Sequence, residues 1–260
     1  YLIFKEKMVN ELSYIGLGTA AIGRPQYINI KSTPSAKFEK DQFIKKGKSV
    51  LDAAYSKGVR YFDTAPGYGI AEQILFEWLV SKNDSSIEVA TKWGYTYVAN
   101  FDPKATVHEI KDHGLTQLER QWETSKIFLP HLTTYQIHSA TFDTGVLDNT
   151  EVLHRLDELK SLHQLKMGIS TTGSKQIEVL DKALNIEING RQLFDAFQVT
   201  YNILDQSLLK MADELDKKGK RIIVKEALAN GRVFKNKNYP HYKKLYDTLE
   251  NLALKYGVGV

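Results

Sequence analysis

Short apolar runs rich in β-branched and aromatic residues recur along the chain at 14–17, 59–62, 87–91, 133–137, 166–169, 196–200 and 221–225. Unbroken runs of this kind predict parallel strands buried on both faces, not strands with one wet side. Between them lie amphipathic stretches. The first, 43–57, stops at Gly58, which suits a C-cap. The second, 71–82, stops before Asn83-Asp84-Ser85. The third, 107–126, places Ile110, Leu115, Leu118 and Trp122 at near-helical spacing. The stretch 150–162 carries Val152, Leu153, Leu156 and Leu159. Ser174 offers an N-cap to a helix over 174–184, 206–217 stops short of Gly219, and 239–256 is the last.

Strand and helix therefore alternate seven times, which predicts a parallel sheet with crossover helices. A doubly wound open sheet and a (β/α)8 TIM barrel both satisfy that order. The open sheet usually carries G-x-G-x-x-G after its first strand. Here Gly16-Leu17-Gly18-Thr19, followed by Gly23, breaks that spacing. The expectation is an α/β protein, one TIM-barrel domain over 1–260, with the C-terminal βα unit missing: the seventh helix already runs to Gly257-Val258-Gly259-Val260. The chain opens at Tyr1 and not at methionine, which points to residues upstream.

Composition narrows the chemistry. The 260 residues contain no cysteine, which excludes a disulfide framework, thiolate zinc sites, iron–sulfur clusters and a cysteine nucleophile. A reducing compartment is compatible with this, and the cytoplasm is expected. No apolar run approaches about 18 residues, and no signal-peptide pattern opens the chain, so no membrane span is expected. The 35 basic and 31 acidic residues leave only +4. Basic runs such as Lys45-Lys46-Gly47-Lys48 and Lys217-Lys218-Gly219-Lys220 fall near expected helix ends and read as solvated faces, so nucleic acid is not an expected partner. No H-E-x-x-H and no His pair at i, i+4 occurs, and no metal site is expected.

In a parallel barrel the functional groups gather at the C-terminal ends of the strands. Gly18 and Thr19 follow the first run. Asp63, Thr64 and Tyr68 follow the second. The third ends in Thr91-Lys92-Trp93, the fourth in Gln136-Ile137-His138-Ser139, and the fifth in Ser170-Thr171-Thr172. The sixth carries Gln198 and leads to Tyr201-Asn202, and the seventh ends in Lys225-Glu226. Singly, Asp, Tyr, Lys or His at such a place would be half of an ion pair, a cap or a structural histidine. Together on one rim they suit proton transfer. A phenol, with a pKa of about 10, is too weak an acid for neutral pH. A nearby ammonium stabilises its phenolate, a carboxylate holds that ammonium, and a histidine can donate to a carbonyl oxygen gaining charge. Any hydride would have to come from a cofactor.

Gly58-Val59-Arg60-Tyr61-Phe62-Asp63-Thr64-Ala65, then Tyr68-Gly69 and Glu72, open a set of spaced motifs. Ala90-Thr91-Lys92-Trp93-Gly94, Tyr135-Gln136-Ile137-His138, Met167-Gly168-Ile169-Ser170 and Gln198-Val199-Thr200-Tyr201-Asn202 continue it. From about Ile15 onward this set resembles the aldo-keto reductase superfamily. The resemblance implies a TIM barrel that binds a nicotinamide cofactor without a Rossmann fold. NADP, as NADPH, is the family default, with NAD possible, and the substrate is a small carbonyl compound or sugar. It implies a catalytic tetrad of Tyr68 as general acid and base, Lys92, Asp63 and His138. It places Ser170 and Gln198 at the nicotinamide carboxamide, with Asp63 also on the cofactor side. Gly18 and Thr19 would lie beneath the cofactor, and the backbone of Ala227, Leu228 and Gly231 against its pyrophosphate. Two stretches depart from the family pattern: 128–134, where acidic residues are usual, and Lys225-Glu226-Ala227-Leu228, where Ser-Pro-Leu is common.

The aromatic loop 95–101 and Ser139-Ala140-Thr141-Phe142 are expected to wall the substrate pocket, and Trp93 to report cofactor binding by its fluorescence. Two other readings share the scaffold. One is a non-catalytic nicotinamide-sensing subunit. The other is a glycoside hydrolase using Asp63 and Glu226, whose carboxyls would then stand about 5–5.5 Å apart.

Overall fold

The computed structural model describes residues 14–25, 39–102 and 104–259. Along the chain these form β1 (Gly16–Gly18), α1 (Ala20–Gly23), α2 (Lys40–Ser56), β2 (Tyr61–Asp63), α3 (Ala71–Val80), β3 (Glu88–Trp93), β4 (Tyr95–Tyr97), β5 (Glu109–Lys111), α4 (Leu115–Ser125) and β6 (Leu132–Ala140). There follow α5 (Thr150–His163), β7 (Lys166–Thr171), α6 (Gln176–Leu184), β8 (Glu187–Ile188), β9 (Arg191–Gln192), β10 (Ala196–Thr200), α7 (Ala212–Lys217), β11 (Arg221–Lys225) and α8 (Lys243–Tyr256).

Seven strands make one parallel sheet in the order β1-β2-β3-β6-β7-β10-β11. Each crossover returns its strand beside the one before, with no reversal of order. A doubly wound sheet reverses at a switch point, so that alternative is excluded. The sheet curls: residues of both edge strands, Gly16 and Gly18 on one side and 221–225 on the other, line a single cavity. Arg221 of β11 reaches across to the first strands. Its guanidinium stands 4.5 Å from the Tyr61 ring centroid, and its Nη1 lies 3.2 Å from Glu88 Oε2. The described residues thus form a curled seven-stranded wall of barrel type.

Burial follows position in that wall. Phe62, Val89, Tyr135, Ile137, Met167, Ile169, Phe197 and Val199 of the inner strands are closed off from water, packed with Leu51, Ile74, Leu75 and Trp78 of α2 and α3. The expectation of strands buried on both faces fails at the edges, where Val224 of β11 is 43% exposed. Those runs are apolar because they belong to a barrel wall, and among the described residues nothing pairs with their outer edge.

Several boundaries shift for local reasons. The stretch 107–126 is not one helix. Residues 109–111 pair antiparallel with β4, Ile110 points outward at 54% exposure, and α4 begins only after Gly114. Asp112 breaks the helical run: its N–H donates to the Gly94 carbonyl at 2.9 Å, and its Oδ1 accepts from Gly114 N at 2.8 Å. Ser174 is not a cap either, because α6 starts at Gln176 after Lys175 and has no side-chain cap. The Gln176 amide is instead buried, donating to Thr200 O at 3.1 Å and Ser207 Oγ at 2.7 Å. Both last helices open with 3-10 turns, at Ser207–Lys210 and Pro240–Tyr242. No helix among the described residues is long and apolar enough to cross a membrane.

Candidate active site

The C-terminal ends of the strands line one part of a cavity of about 980 Å³, which also runs along the edge strands β1 and β11 down to Gly16, Tyr61 and Arg221 at the N-terminal ends of their strands. Gly18, Asp63, Tyr68, His138, Ser170 and Gln198 all line it. Lys92 does not; it lies beneath them, fully buried. Tyr68 sits on the 3-10 turn Pro66–Tyr68 just past β2. That turn is pressed against the first loop. A Cβ on Gly23 would stand 1.9 Å from the Tyr68 carbonyl oxygen, so only glycine allows the approach.

The Lys92 ammonium forms an ion pair with Asp63 Oδ1 and donates to the Thr64 carbonyl at 3.0 Å. The other carboxylate oxygen, Oδ2, accepts from Gln198 Nε2 at 3.0 Å and Gln136 Nε2 at 3.2 Å. Asp63 is therefore saturated from two sides, and the ammonium is fixed in place. Lys92 Nζ lies 4.9 Å from the Tyr68 ring centroid. The Tyr68 hydroxyl stands 3.4 Å from His138 Nε2, and the two rings meet edge to face. Burial, with the Lys92 charge next in effect, holds the His138 imidazole well below its ordinary pKa, so it is neutral at neutral pH. Its Nδ1 is buried without a partner.

His138 is aimed by a distortion in its strand. β6 bulges between Ile137 and Ala140, and Ser139 adopts a left-handed φ of 48°. A non-glycine residue there is strained and must be held. Two contacts do so: Ser139 N–H donates to Ser170 Oγ at 2.8 Å, and the His138 carbonyl accepts from His113 Nε2–H at 2.9 Å. His113 in turn accepts from Thr144 Oγ1 at its Nδ1, at 2.9 Å. Burial pushes its pKa down to about 4, so the ring keeps one N–H to give. The ring fits because residue 94 is glycine; a Cβ there would lie 2.1 Å from His113 Cδ2.

Glu72 is a second buried carboxyl, held by Thr91 Oγ1 at 2.6 Å and Ser125 Oγ at 3.1 Å. Burial raises its pKa to about 7, against those hydrogen bonds and the Lys92 charge. Between its ordinary value near 4.5 and about 7, the folded chain holds this proton and the unfolded chain has lost it. Stability is then lost as pH rises through that window. Glu72→Gln is expected to remove about 2–3 kcal/mol of the fall between roughly pH 5 and pH 7.5. Urea unfolding of both proteins at the two pH values checks it. Equal pH dependence in the two would sink the claim. The buried His113 and His138 contribute the opposite slope in both proteins and cancel in the comparison.

The other expected positions divide. Thr19 is buried and does not line the cavity; its N–H and Oγ1 both donate to the Asp63 carbonyl, at 2.8 and 3.1 Å. Of the segment after β11, Asn230 and Glu226 line the cavity, whereas Ala227, Leu228 and Gly231 are not among its lining residues, and Leu228 is 56% exposed. Of the expected wall, 95–101 and 139–142, only Tyr95 and Ser139 line the cavity; Tyr97 packs against Phe101, and Phe142 lies beside Lys182. Trp93 is fully buried against the His113 ring. Gln136, His113, Arg24 and Glu109 were not singled out from the sequence. Gln136 had a signal, since it shares a strand face with His138 two residues on. Among the described residues no His, Cys, Asp and Glu cluster could hold a metal.

A curled parallel wall with a Tyr–His–Lys–Asp arrangement at its rim defines a class. Residues 14–260 match the aldo/keto reductase family, and the chain belongs to it. A fungal relative, aldo-keto reductase str7 of Strobilurus tenacellus, is 29% identical over 119 residues, which covers 44% of this chain and 31% of that protein's length. Among solved structures, the glycerol dehydrogenase AKR11B4 of Gluconobacter oxydans superposes with a TM-score of 0.69 at 21% identity, covering 95% of this chain and 76% of that one. The holo form of the aldo-keto reductase AKR11C1 of Bacillus halodurans gives 0.63 at 19% identity, covering 86% and 65%.

Proposed function

We propose that the chain is an NADP-dependent oxidoreductase that interconverts small carbonyl compounds and alcohols at the rim of a TIM barrel, with Tyr68 as general acid in reduction and general base in oxidation. One observation supports this above the others. A fully buried ammonium, pinned by Asp63, lies under a cavity-lining tyrosine whose hydroxyl stands beside a neutral histidine.

The residues present fit a nicotinamide group. Ser170 accepts from Ser139, and its own proton remains to be donated to a carboxamide oxygen. Gln198 spends its Nε2 on Asp63, which leaves its Oε1 as an acceptor for the carboxamide N–H. Gly18 lines the cavity with open space where a Cβ would be. Bound there, the cofactor supplies or takes the hydride at the carbonyl carbon. The protein's part is proton and charge. Tyr68 Oη gives its proton to the carbonyl oxygen. The Lys92 ammonium stabilises the negative charge left on the Tyr68 oxygen. His138 Nε2–H donates to the carbonyl oxygen and polarises it. Asp63, held by two glutamine amides, keeps Lys92 from following the proton. In the alcohol direction the Tyr68 phenolate takes the hydroxyl proton back. We take NADPH as the cofactor, with NADH the alternative.

Loss of NADPH absorbance with a panel of small aldehydes, ketones and sugars tests the reading, beside titrations with NADPH and NADH. Turnover is expected. Tight nucleotide binding with no turnover on any carbonyl would favour the sensing subunit, and no binding of either nucleotide would overturn both. Glycoside hydrolysis gains nothing from the geometry: both Asp63 oxygens are occupied, and Glu226 lies against Lys225 Nζ at 3.4 Å.

The bulge that aims His138 gives a further test. His113→Leu removes the donor to the His138 carbonyl and is expected to lower kcat by about ten- to a hundredfold, the scale of a misplaced catalytic group. Nucleotide affinity should stay unchanged. His113→Gln, which keeps an N–H donor, should retain most of the activity. Equal losses in both variants would show that the ring acts only as packing.

A further inference from the structure

One ion pair bridges the mouth of the cavity. Arg24 directly follows α1, and Glu109 opens β5, so the pair ties the first loop to the β4–β5 hairpin. Arg24 Nη1 lies 2.8 Å from Glu109 Oε2. The Arg24 side chain keeps only 10% of its surface and Glu109 keeps 33%. The guanidinium carbon stands 5.9 Å from the Tyr68 ring centroid. Both residues line the cavity with Tyr68, Tyr95 and His138. A carbonyl presented to Tyr68 therefore has this pair as a neighbour.

Among the described residues the other cations that line the cavity are matched as well. Arg221 is paired with Glu88 at 3.2 Å and Lys225 with Glu226 at 3.4 Å. An anionic substrate reaching the remaining Arg24 N–H groups would stand directly beside the Glu109 carboxylate that already holds Nη1. It would have to lose its hydration beside the Glu109 carboxylate, or pull Arg24 away and leave that carboxylate half-buried and unpaired. Both are costly. A neutral hydroxyl meets no such penalty. It can donate to a Glu109 oxygen and accept from an Arg24 N–H without disturbing either.

Resting on the oxidoreductase reading above, we propose that the Arg24–Glu109 pair is a specificity filter that admits neutral, hydroxyl-bearing carbonyl compounds and rejects those carrying a carboxylate. Glu109 is the repulsive element of the filter, and Arg24 is held by it from serving as a carboxylate receptor. Discrimination of this kind is a ratio of kcat/KM values, so the ratio is the quantity to measure.

The experiment compares glyceraldehyde with succinic semialdehyde, using NADPH and the full chain. Wild type is expected to favour glyceraldehyde. Glu109→Gln keeps the shape and removes the negative charge beside Arg24; it should raise kcat/KM for the semialdehyde by about tenfold or more and lower it for glyceraldehyde. Glu109→Asp keeps the charge and should keep the wild-type preference, which separates charge from damage to the hairpin. Arg24→Met should lose activity on glyceraldehyde and gain none on the semialdehyde. A wild-type preference for the semialdehyde, or a ratio in Glu109→Gln within about twofold of wild type, overturns the filter while leaving the oxidoreductase reading intact. No turnover of either substrate in any of the proteins overturns the filter, and the oxidoreductase reading falls with it only if the wider carbonyl panel also gives none.

Discussion

Tyr68→Phe is expected to lower kcat for carbonyl reduction by about 10²–10⁴-fold, the usual contribution of a positioned general acid. The fold should survive. The ring packs against Ala20, Ala65 and Ala71 and meets His138 edge to face, and phenylalanine preserves all of these contacts. The hydrogen bond between the hydroxyl and His138 is long, at 3.4 Å, so its removal should change stability by no more than about 1.5 kcal/mol. Affinity for NADPH should be close to wild type, because Ser170 and Gln198, the proposed carboxamide partners, are untouched. Steady-state kinetics, a nucleotide titration and a urea midpoint measured on the same preparation decide it. Undiminished kcat would remove Tyr68 from the acid's role, and a lost urea transition would make the kinetic result uninformative about the hydroxyl. His138→Gln then supplies the second readout: it keeps a donor near the carbonyl oxygen and should retain more activity than Tyr68→Phe.

The four rim residues were legible because each stands at or just past the end of an apolar run, and parallel strands bring their C-terminal ends to one place. Lys92 and His138 need only the strand positions to be found. Tyr68 needs the turn after β2 as well, and its proline and glycines mark that turn. Other parts were hidden for physical reasons. Ile110, Leu115, Leu118 and Trp122 fall at helical spacing, yet the first belongs to a hairpin. What decides is the hydrogen bonding of Asp112, which periodicity does not report. His113 acts on a carbonyl 25 residues away and Arg24 on a carboxylate 85 residues away. No local pattern links such positions. The segment after β11, with its Lys-Glu-Ala-Leu, departs from the family pattern, and there Glu226 and Asn230 line the cavity while Ala227, Leu228 and Gly231 do not. Glu226, Ala229, Asn230 and Gly231 there all have positive φ values; Asn230-Gly231 signals such a turn, but Glu226 and Ala229 do not.

Lys92→Met separates the structural from the chemical role of the buried pair. Lys92 has no exposed surface, and Asp63 keeps 12% of its side chain exposed. Removing the ammonium leaves the Asp63 carboxylate with only the Gln136 and Gln198 amides as partners. Breaking a buried pair in this way costs about 3–5 kcal/mol, a large part of a total near 5–15 kcal/mol. The chain should remain folded but unfold at markedly lower urea. Carbonyl reduction should fall by at least about a hundredfold, since Arg24, Arg221 and Lys225 on the cavity wall are each paired with a carboxylate of their own. The double variant Lys92→Met/Asp63→Asn removes both charges. Removing both charges takes away the uncompensated buried carboxylate, so this protein should recover part of what Lys92→Met loses in urea while staying inactive. Recovered stability with recovered activity would show that the pair served the fold alone. If Lys92→Met were as stable as wild type, the carboxylate would have to be compensated by its amides without the lysine, and the pinning of Lys92 by Asp63 would lose its energetic basis.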